Sequence, residues 1–262
     1  MHEGRSSGPR TGAYLPGLVW TLVRTDFKTR YHGTFGGYLW ALAKPVTMFV
    51  VLLGVFSLIF SMDPNYNLNL IIGLFLWDFF AESTRSGLMS LHAKTFLLTK
   101  ARFPTWIVPL TACANALVTV SLFSVVVCSY VAIFRHSLGL LHLVAVALYI
   151  LALVLIVTGI SLGASVLFLR YRDLNQVWDL MLQVGFFIAP VIYPLNIIPE
   201  KFHVYLYLWP PTPVIQFVRL VLVEGQFPTM KAHALLAALS LGIFAVGAWI
   251  YRSMGPRAVE AL

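Results

Sequence analysis

The chain has 262 residues, of which 59% are hydrophobic and only 11% charged, and its mean hydropathy is +0.84. A soluble domain carries roughly 25% charged residues, so this composition excludes ordinary soluble domains and calls for one all-α membrane unit. The formal charge of +8 sits in clusters between apolar stretches, as topology signals do, and nucleic acid is not an expected partner.

Residues 1–37 are polar and Gly-rich, so they are expected to form a cytoplasmic N-terminal segment with no signal peptide before the first span. Within them "GLVWTLVRTDFKTRY" (17–31) groups Leu18, Trp20 and Leu22 against a basic side of Arg24, Lys28 and Arg30. That pattern fits an amphipathic helix lying in the membrane interface, or a solvated leader to the first span. Residues 38–262 read as the transmembrane domain. A span needs about 20 mostly apolar residues, and five stretches supply them: roughly 38–61, 68–90, 106–134, 138–169 and 233–251. A sixth, roughly 175–194, qualifies while tolerating Asp179 and Gln183.

Six spans put both termini on one side, and lysine and arginine decide which. Six cations precede or open the first span, four flank the second connection, two follow span four and two close the chain; Arg135, Lys201, Arg219 and Lys231 alone lie opposite. Both termini are therefore expected in the cytoplasm.

Along the spans, Asp78, Glu82 and Arg85 share one helix face of span two. Intramembrane charges default to a functional reading, but pairing of Glu82 with Arg85 against a neighbouring helix is the favoured expectation. Gly159 and Gly163 in span four permit close helix approach and read as packing. Span five, "RYRDLNQVWDLMLQVGFFIAPVIYP" (170–194), begins with a charge cluster and closes on Pro190 and Pro194. Proline inside a helix costs about 3 kcal/mol, so the far end of this span is built to break. Beyond it, "LNIIPEKFHVYLYLWPPTPVIQFVRLVLVEG" (195–225) alternates prolines with apolar runs too short to cross. Such backbone is tolerated at membrane depth only against protein or a wet cavity, and a re-entrant hairpin on the outer side is expected.

No glycine is followed by lysine, so no GxxxxGK phosphate loop exists. The seven histidines show no metal-ligand spacing, and no metal site is expected. Transport or scaffolding therefore fits better than catalysis.

Three stretches then carry a family resemblance. "RYHGTFGGYLWALAKPV" (30–46) resembles the start of the type-2 ABC exporter permeases, and "RYRDL" (170–174) before "APVIYP" (189–194) looks like their second signature. "LLTKARFPTWIVPL" (97–110) is similar to their second connection. The nearest branch exports lipid-linked polysaccharides of the O-antigen, capsule or teichoic-acid type. The resemblance implies a multi-pass protein of the bacterial cytoplasmic (inner) membrane, working as a homodimer with two copies of a separate ABC ATPase. ATP and Mg would be held there, with no cofactor in this chain.

The resemblance also implies roles for residues. The 91–105 connection becomes the ATPase coupling element, with Lys94, Phe96, Leu97, Lys100, Arg102, Phe103 and Pro104; its apolar members suit docking and its cations steering, or else it is a basic loop on lipid headgroups. Spans one and five line the route, bringing Tyr38, Trp40, Phe49, Phe56 and Phe60 together with Trp178, Phe186, Phe187 and Tyr193. Flat aromatic faces suit sugar rings, although Trp and Tyr also form interfacial belts. Lys28, Arg30, Tyr31, Arg170 and Arg172 are expected at the gate, where they would meet substrate phosphate, and Pro190 and Pro194 form the exit kink. A drug or lipid exporter on the same scaffold, and a non-transporting membrane scaffold, are the competing readings.

Overall fold

The structure is a computed structural model that describes residues 15–31, 37–60, 63–100, 103–114 and 139–260, with positions 117, 120, 121, 124, 125, 127 and 129 between them. The described regular structure is helical: α1 Leu15–Tyr31, α2 Gly37–Phe56, α3 Tyr66–Ala93, α4 Thr95–Lys100, α5 Ile107–Ala112, α6 Leu140–Arg170, α7 Leu174–Ile188, α8 His203–Leu208, α9 Pro211–Arg219 and α10 Met230–Glu260. Described positions from 114 to 129 are helical too and continue the third apolar stretch.

The bundle is organised on α3 and α6. Helix α10 packs along α6, α6 packs on α3, and α2, α5, α7 and α9 each reach α3. Helix α3 is the most enclosed of these: Leu70, Ile72, Phe80, Leu88 and Leu91 are fully buried, while Asp78, Glu82 and Arg85 share a partly open face. Asp63 starts it, accepting from the Asn65 backbone N–H at 2.9 Å and from Asn69 Nδ2 at 3.2 Å. Small residues set the closest approaches. A Cβ on Gly159 or Gly247 would strike the backbone of the facing helix, and one on Gly87 would strike Ser161, so the Gly159–Gly163 stretch is a packing surface.

By length and composition, Leu140–Arg170 and Met230–Gly255 are long and apolar enough to cross a membrane. The stretches Glu200–Leu208 and Pro211–Glu224 make a third only if taken as one broken span, bent by 118°. The fifth apolar stretch differs from its expected extent. Helix α7 stops at Ile188, because Pro190 bars the preceding Ala189 from helical backbone, and Ala189 is extended at ψ 131°. Fifteen residues of helix cover about 22 Å, short of the roughly 30 Å of a hydrocarbon core. Residues 189–192 continue as irregular backbone and are buried. After α9 a π turn, Leu220–Glu224, ends on Gly225 at φ 69°, a left-handed conformation that glycine adopts without steric cost.

Candidate functional site

Ending α7 at Ile188 leaves carbonyls that no helix satisfies. Arg219, at the end of α9, takes up three backbone groups: Nη1 donates to the Pro190 carbonyl at 2.5 Å, Nη2 to Val191 at 2.9 Å and Nε to Asn69 at 2.8 Å. The Tyr66 hydroxyl donates to the Ile192 carbonyl at 3.0 Å. On the solvent-facing side, the Tyr193 hydroxyl donates to Phe187 and Ile188 at 3.0 and 3.2 Å. Arg219 is only 6% exposed, and a Cβ on Gly73 would overlap its Nη2. Trp209, between α8 and α9, covers Gly185 where a Cβ would collide with its ring. It also stacks on Trp77 at 6.4 Å and meets Phe80 edge-on at 6.2 Å. The bent α8–α9 unit is thereby fastened to α3 and α7 by an arginine fork and an aromatic stack.

Below this junction α2, α3 and α7 enclose a cleft of about 860 Å³. Its walls are aromatic and charged together. Lys44 on α2 pairs with Asp78 on α3 at 3.4 Å, and Arg85 on α3 donates from Nε to Asp179 on α7 at 2.7 Å. Asn175 Nδ2 lies 3.5 Å from the second Asp179 oxygen. Phe186 meets Trp77 edge-on at 5.7 Å, and Phe187 is 63% exposed. The expected Glu82–Arg85 pair is corrected: Arg85 turns to Asp179, and Glu82 accepts from Ser86 at 3.4 Å. Residues 78 and 85 are seven apart and share a face, and that face looks between α2 and α7.

At the α4 end, Leu98 and Phe103 pack on a small core of Leu91, Val108 and Val166. The Thr105 and Tyr251 hydroxyls bond to each other and tie this segment to α10. Phe96 is left 71% exposed, with Lys100 Nζ 4.1 Å above its ring. Lys94 Nζ meets Asp26 Oδ2 of α1 at 2.5 Å.

Residues 17–223 match the family described as ABC-2 type transporter. The chain belongs to that family. Among its relatives, an O-antigen export system permease protein RfbA of Klebsiella pneumoniae is 30% identical over 190 residues, covering 72% of this chain and 73% of that one. RfbA of Myxococcus xanthus, also an O-antigen export system permease protein, is 25% identical over 253 residues, covering 94% and 95%. The polysialic acid transport protein KpsM of Escherichia coli is 23% identical over 240 residues, covering 90% and 92%. With its long apolar helices, this ABC-2 chain is a multi-pass membrane protein and a transporter subunit.

The residues singled out from the sequence of this ABC-2 chain are dispersed over several places. Phe186 and Phe187 line the cleft. Trp178 turns the other way, donating to Thr84 at 3.1 Å beside an apolar groove between α6 and α10. Phe49, Phe56 and Phe60 pack against the core, and Tyr193 caps α7. Lys28 and Arg172 are exposed, and Arg170 lies 5.5 Å over the Tyr171 ring. Leu97 and Pro104 are half-buried in the α4 segment, and Pro194 is half-buried beyond the end of α7. Arg102 and the side chains of Arg30, Tyr31, Tyr38 and Trp40 lie outside the described residues. Residues 159–163, GISLG, spell a nucleophile-elbow motif, but that motif needs a strained strand-to-helix turn. Here they lie mid-helix, with Ser161 fully buried and its hydroxyl 3.6 Å from Cys113 Sγ.

Sequence reading missed Arg219, which it counted as an outer-face cation. A lone arginine inside the apolar run 213–223 was the available signal.

Proposed function

We propose that this chain is the permease subunit of an ABC exporter that moves a lipid-linked polysaccharide across the cytoplasmic membrane. The observation that carries the reading is the end-to-end match to chains named for O-antigen export and polysialic acid transport, at 94% and 90% coverage. The fold supports it, because a charged, aromatic cleft leads towards a span whose end is broken and refastened by Arg219.

In this reading six spans cross: α2, α3, the helix begun by α5, α6, α7 and α10. Helix α1 lies along the cytoplasmic interface, both termini and α4 face the cytoplasm, and α8–α9 form a re-entrant hairpin at the outer face. Two copies of the chain form the route, each docked through α4 to a separate ATPase that holds ATP and Mg. The exposed Val177, Leu180, Met181, Val184 and Ile188 give α7 an apolar outward stripe suited to a second copy. Lys28, Arg30, Tyr31, Arg170 and Arg172 stand at the inner gate in this arrangement.

Deletion of the gene is expected to remove surface glycan and to leave lipid-linked glycan inside the cell. The chain supplied alone should reverse both effects in that strain, and it should fail to do so once the ATPase gene is deleted as well. Surface glycan that persists at its usual level in the deletion would refute the reading.

A further inference from the structure

We propose that the apolar groove between α6 and α10 binds one tail of an anionic phospholipid, whose headgroup phosphate is held by Arg170 and Arg172 at the end of α6. The groove uses a different face of α7 from the cleft, and the proposal does not depend on the cargo being a polysaccharide.

Four helices border the groove. Its cavity of about 540 Å³ runs between α6 and α10, reaches Leu88 of α3 and is flanked by Leu174 and Trp178 of α7. Every lining side chain is apolar, apart from one polar atom, and that atom, Trp178 Nε1, already donates to Thr84 at 3.1 Å. A polar solute would give up its water here and gain no hydrogen bond, so the ligand is hydrocarbon. Gly242 keeps the groove open, with nothing within 4 Å of where a Cβ would stand. On α6 the wall runs from Gly159 to Leu167, and Arg170 follows one turn later on the same face. From Gly159 to Arg170 the helix rises about 16 Å, half of the roughly 30 Å of a hydrocarbon core. The groove is therefore as long as one leaflet is deep, which is the reach of a lipid tail.

Charge decides which lipid. Arg170, Arg172 and Asp173 are exposed where α6 gives way to α7, and Arg252 is exposed on α10 just beyond the groove-lining Ile250. Three cations against one carboxylate leave this mouth positive. Arginine's planar fork fits phosphate oxygens, and basic residues at a gap between spanning helices suit anionic headgroups. Arg170 is steadied by the Tyr171 ring, which lies 5.5 Å from its guanidinium. A zwitterionic headgroup would bring its own cation to the same arginines, so the groove should select a lipid such as phosphatidylglycerol.

The test is native mass spectrometry of the full-length permease, stripped of lipid in detergent and offered an equal mixture of phosphatidylglycerol and phosphatidylcholine with identical tails. The parent is expected to retain one phosphatidylglycerol per chain, preferred by about fivefold for each arginine engaged. Gly242→Leu fills the groove without meeting a neighbouring atom, and leucine has the better helix propensity, so its melting temperature without lipid should not fall. It should lose bound lipid of either kind. Arg170→Gln with Arg172→Gln should still hold a lipid but take the two kinds equally. Equal retention of both lipids by the parent, or unchanged retention by Gly242→Leu, would reveal an ordinary lipid belt and overturn the site. A full phosphatidylglycerol preference in the arginine variant would overturn it as well. So would a disulfide between two copies at Gly242→Cys, on a background without Cys113 and Cys128, since the groove would then be a dimer surface. A glycan-bearing lipid as the mass retained by the freshly purified parent and lost in Gly242→Leu would give the groove to the cargo instead. Each of these outcomes leaves the exporter reading standing.

Discussion

The residue that organises the broken end of α7 is Arg219. A buried guanidinium is costly unless its donors are met, and here the planar fork meets three backbone carbonyls on two different elements. Lysine would keep the charge but lose the fork. Arg219→Leu removes this donor from the buried Pro190 and Val191 carbonyls, at about 1–3 kcal/mol for each group that water cannot reach. The expected loss is on the order of 3 kcal/mol, read as a lower melting temperature in detergent and lower abundance in cells. Arg219→Lys should fall between. Gly73→Ala should mimic part of the loss, since the new methyl overlaps the Arg219 Nη2 position. Equal melting temperatures for all three variants and the parent would show that the fork holds nothing. The prolines marked the end of this helix as broken but not what refastens it, because the partners of Arg219 lie 28 to 150 residues away in the chain.

At the scale of elements, most helices were legible because long apolar runs have few alternatives in a membrane. Their ends were less so. The X-Pro restriction that stops α7 at Ile188 was readable at Ala189–Pro190, yet the apolar run continues past it and masked the stop. Side-chain direction was the other loss. Helical spacing put Asp78, Glu82 and Arg85 on one face, but only packing revealed that α2 and α7 border it. Helix α4 shows how a short element can divide its labour. Leu98 and Phe103 anchor it inward, Lys94 ties it to α1 through Asp26, and Phe96 points out. Phe96→Glu is therefore expected to leave melting unchanged and to weaken recovery of the ATPase with the tagged permease by tenfold or so, as loss of a central aromatic contact does. Asp26→Ala should instead preserve ATPase recovery and lower ATP-driven export, because it cuts the Lys94 link to α1 and leaves Phe96, the proposed docking residue, in place. Normal ATPase recovery with Phe96→Glu would move the docking face elsewhere.

For the whole molecule, the broken end of α7 couples three distant parts: the prolines that end α7, the arginine at the end of α9 and the start of α3. Because α7 already ends at Ile188, Pro190 and Pro194 impose no strain inside a helix, and replacing them relieves none. What Pro190→Ala with Pro194→Ala changes is permission. Alanine has the best helix propensity, so α7 can extend through 189–194, and the carbonyls of Pro190, Val191 and Ile192 would then be drawn towards intrahelical bonds. Arg219 and Tyr66 would lose their acceptors, and the α8–α9 unit would lose its fastening. The double variant is expected to insert and to recover its ATPase normally, while surface glycan falls and lipid-linked glycan accumulates inside. It should also change the effect of Arg219→Leu. That substitution destabilises the parent, but it should be nearly neutral once the carbonyls have other partners, so the combined effects will fail to add. Melting temperatures of the four proteins in this cycle, set beside surface glycan, separate a built exit from tolerated kinks. Additive losses together with normal export at normal abundance would mean that the prolines and the arginine act independently and that the break in span five has no part in the route.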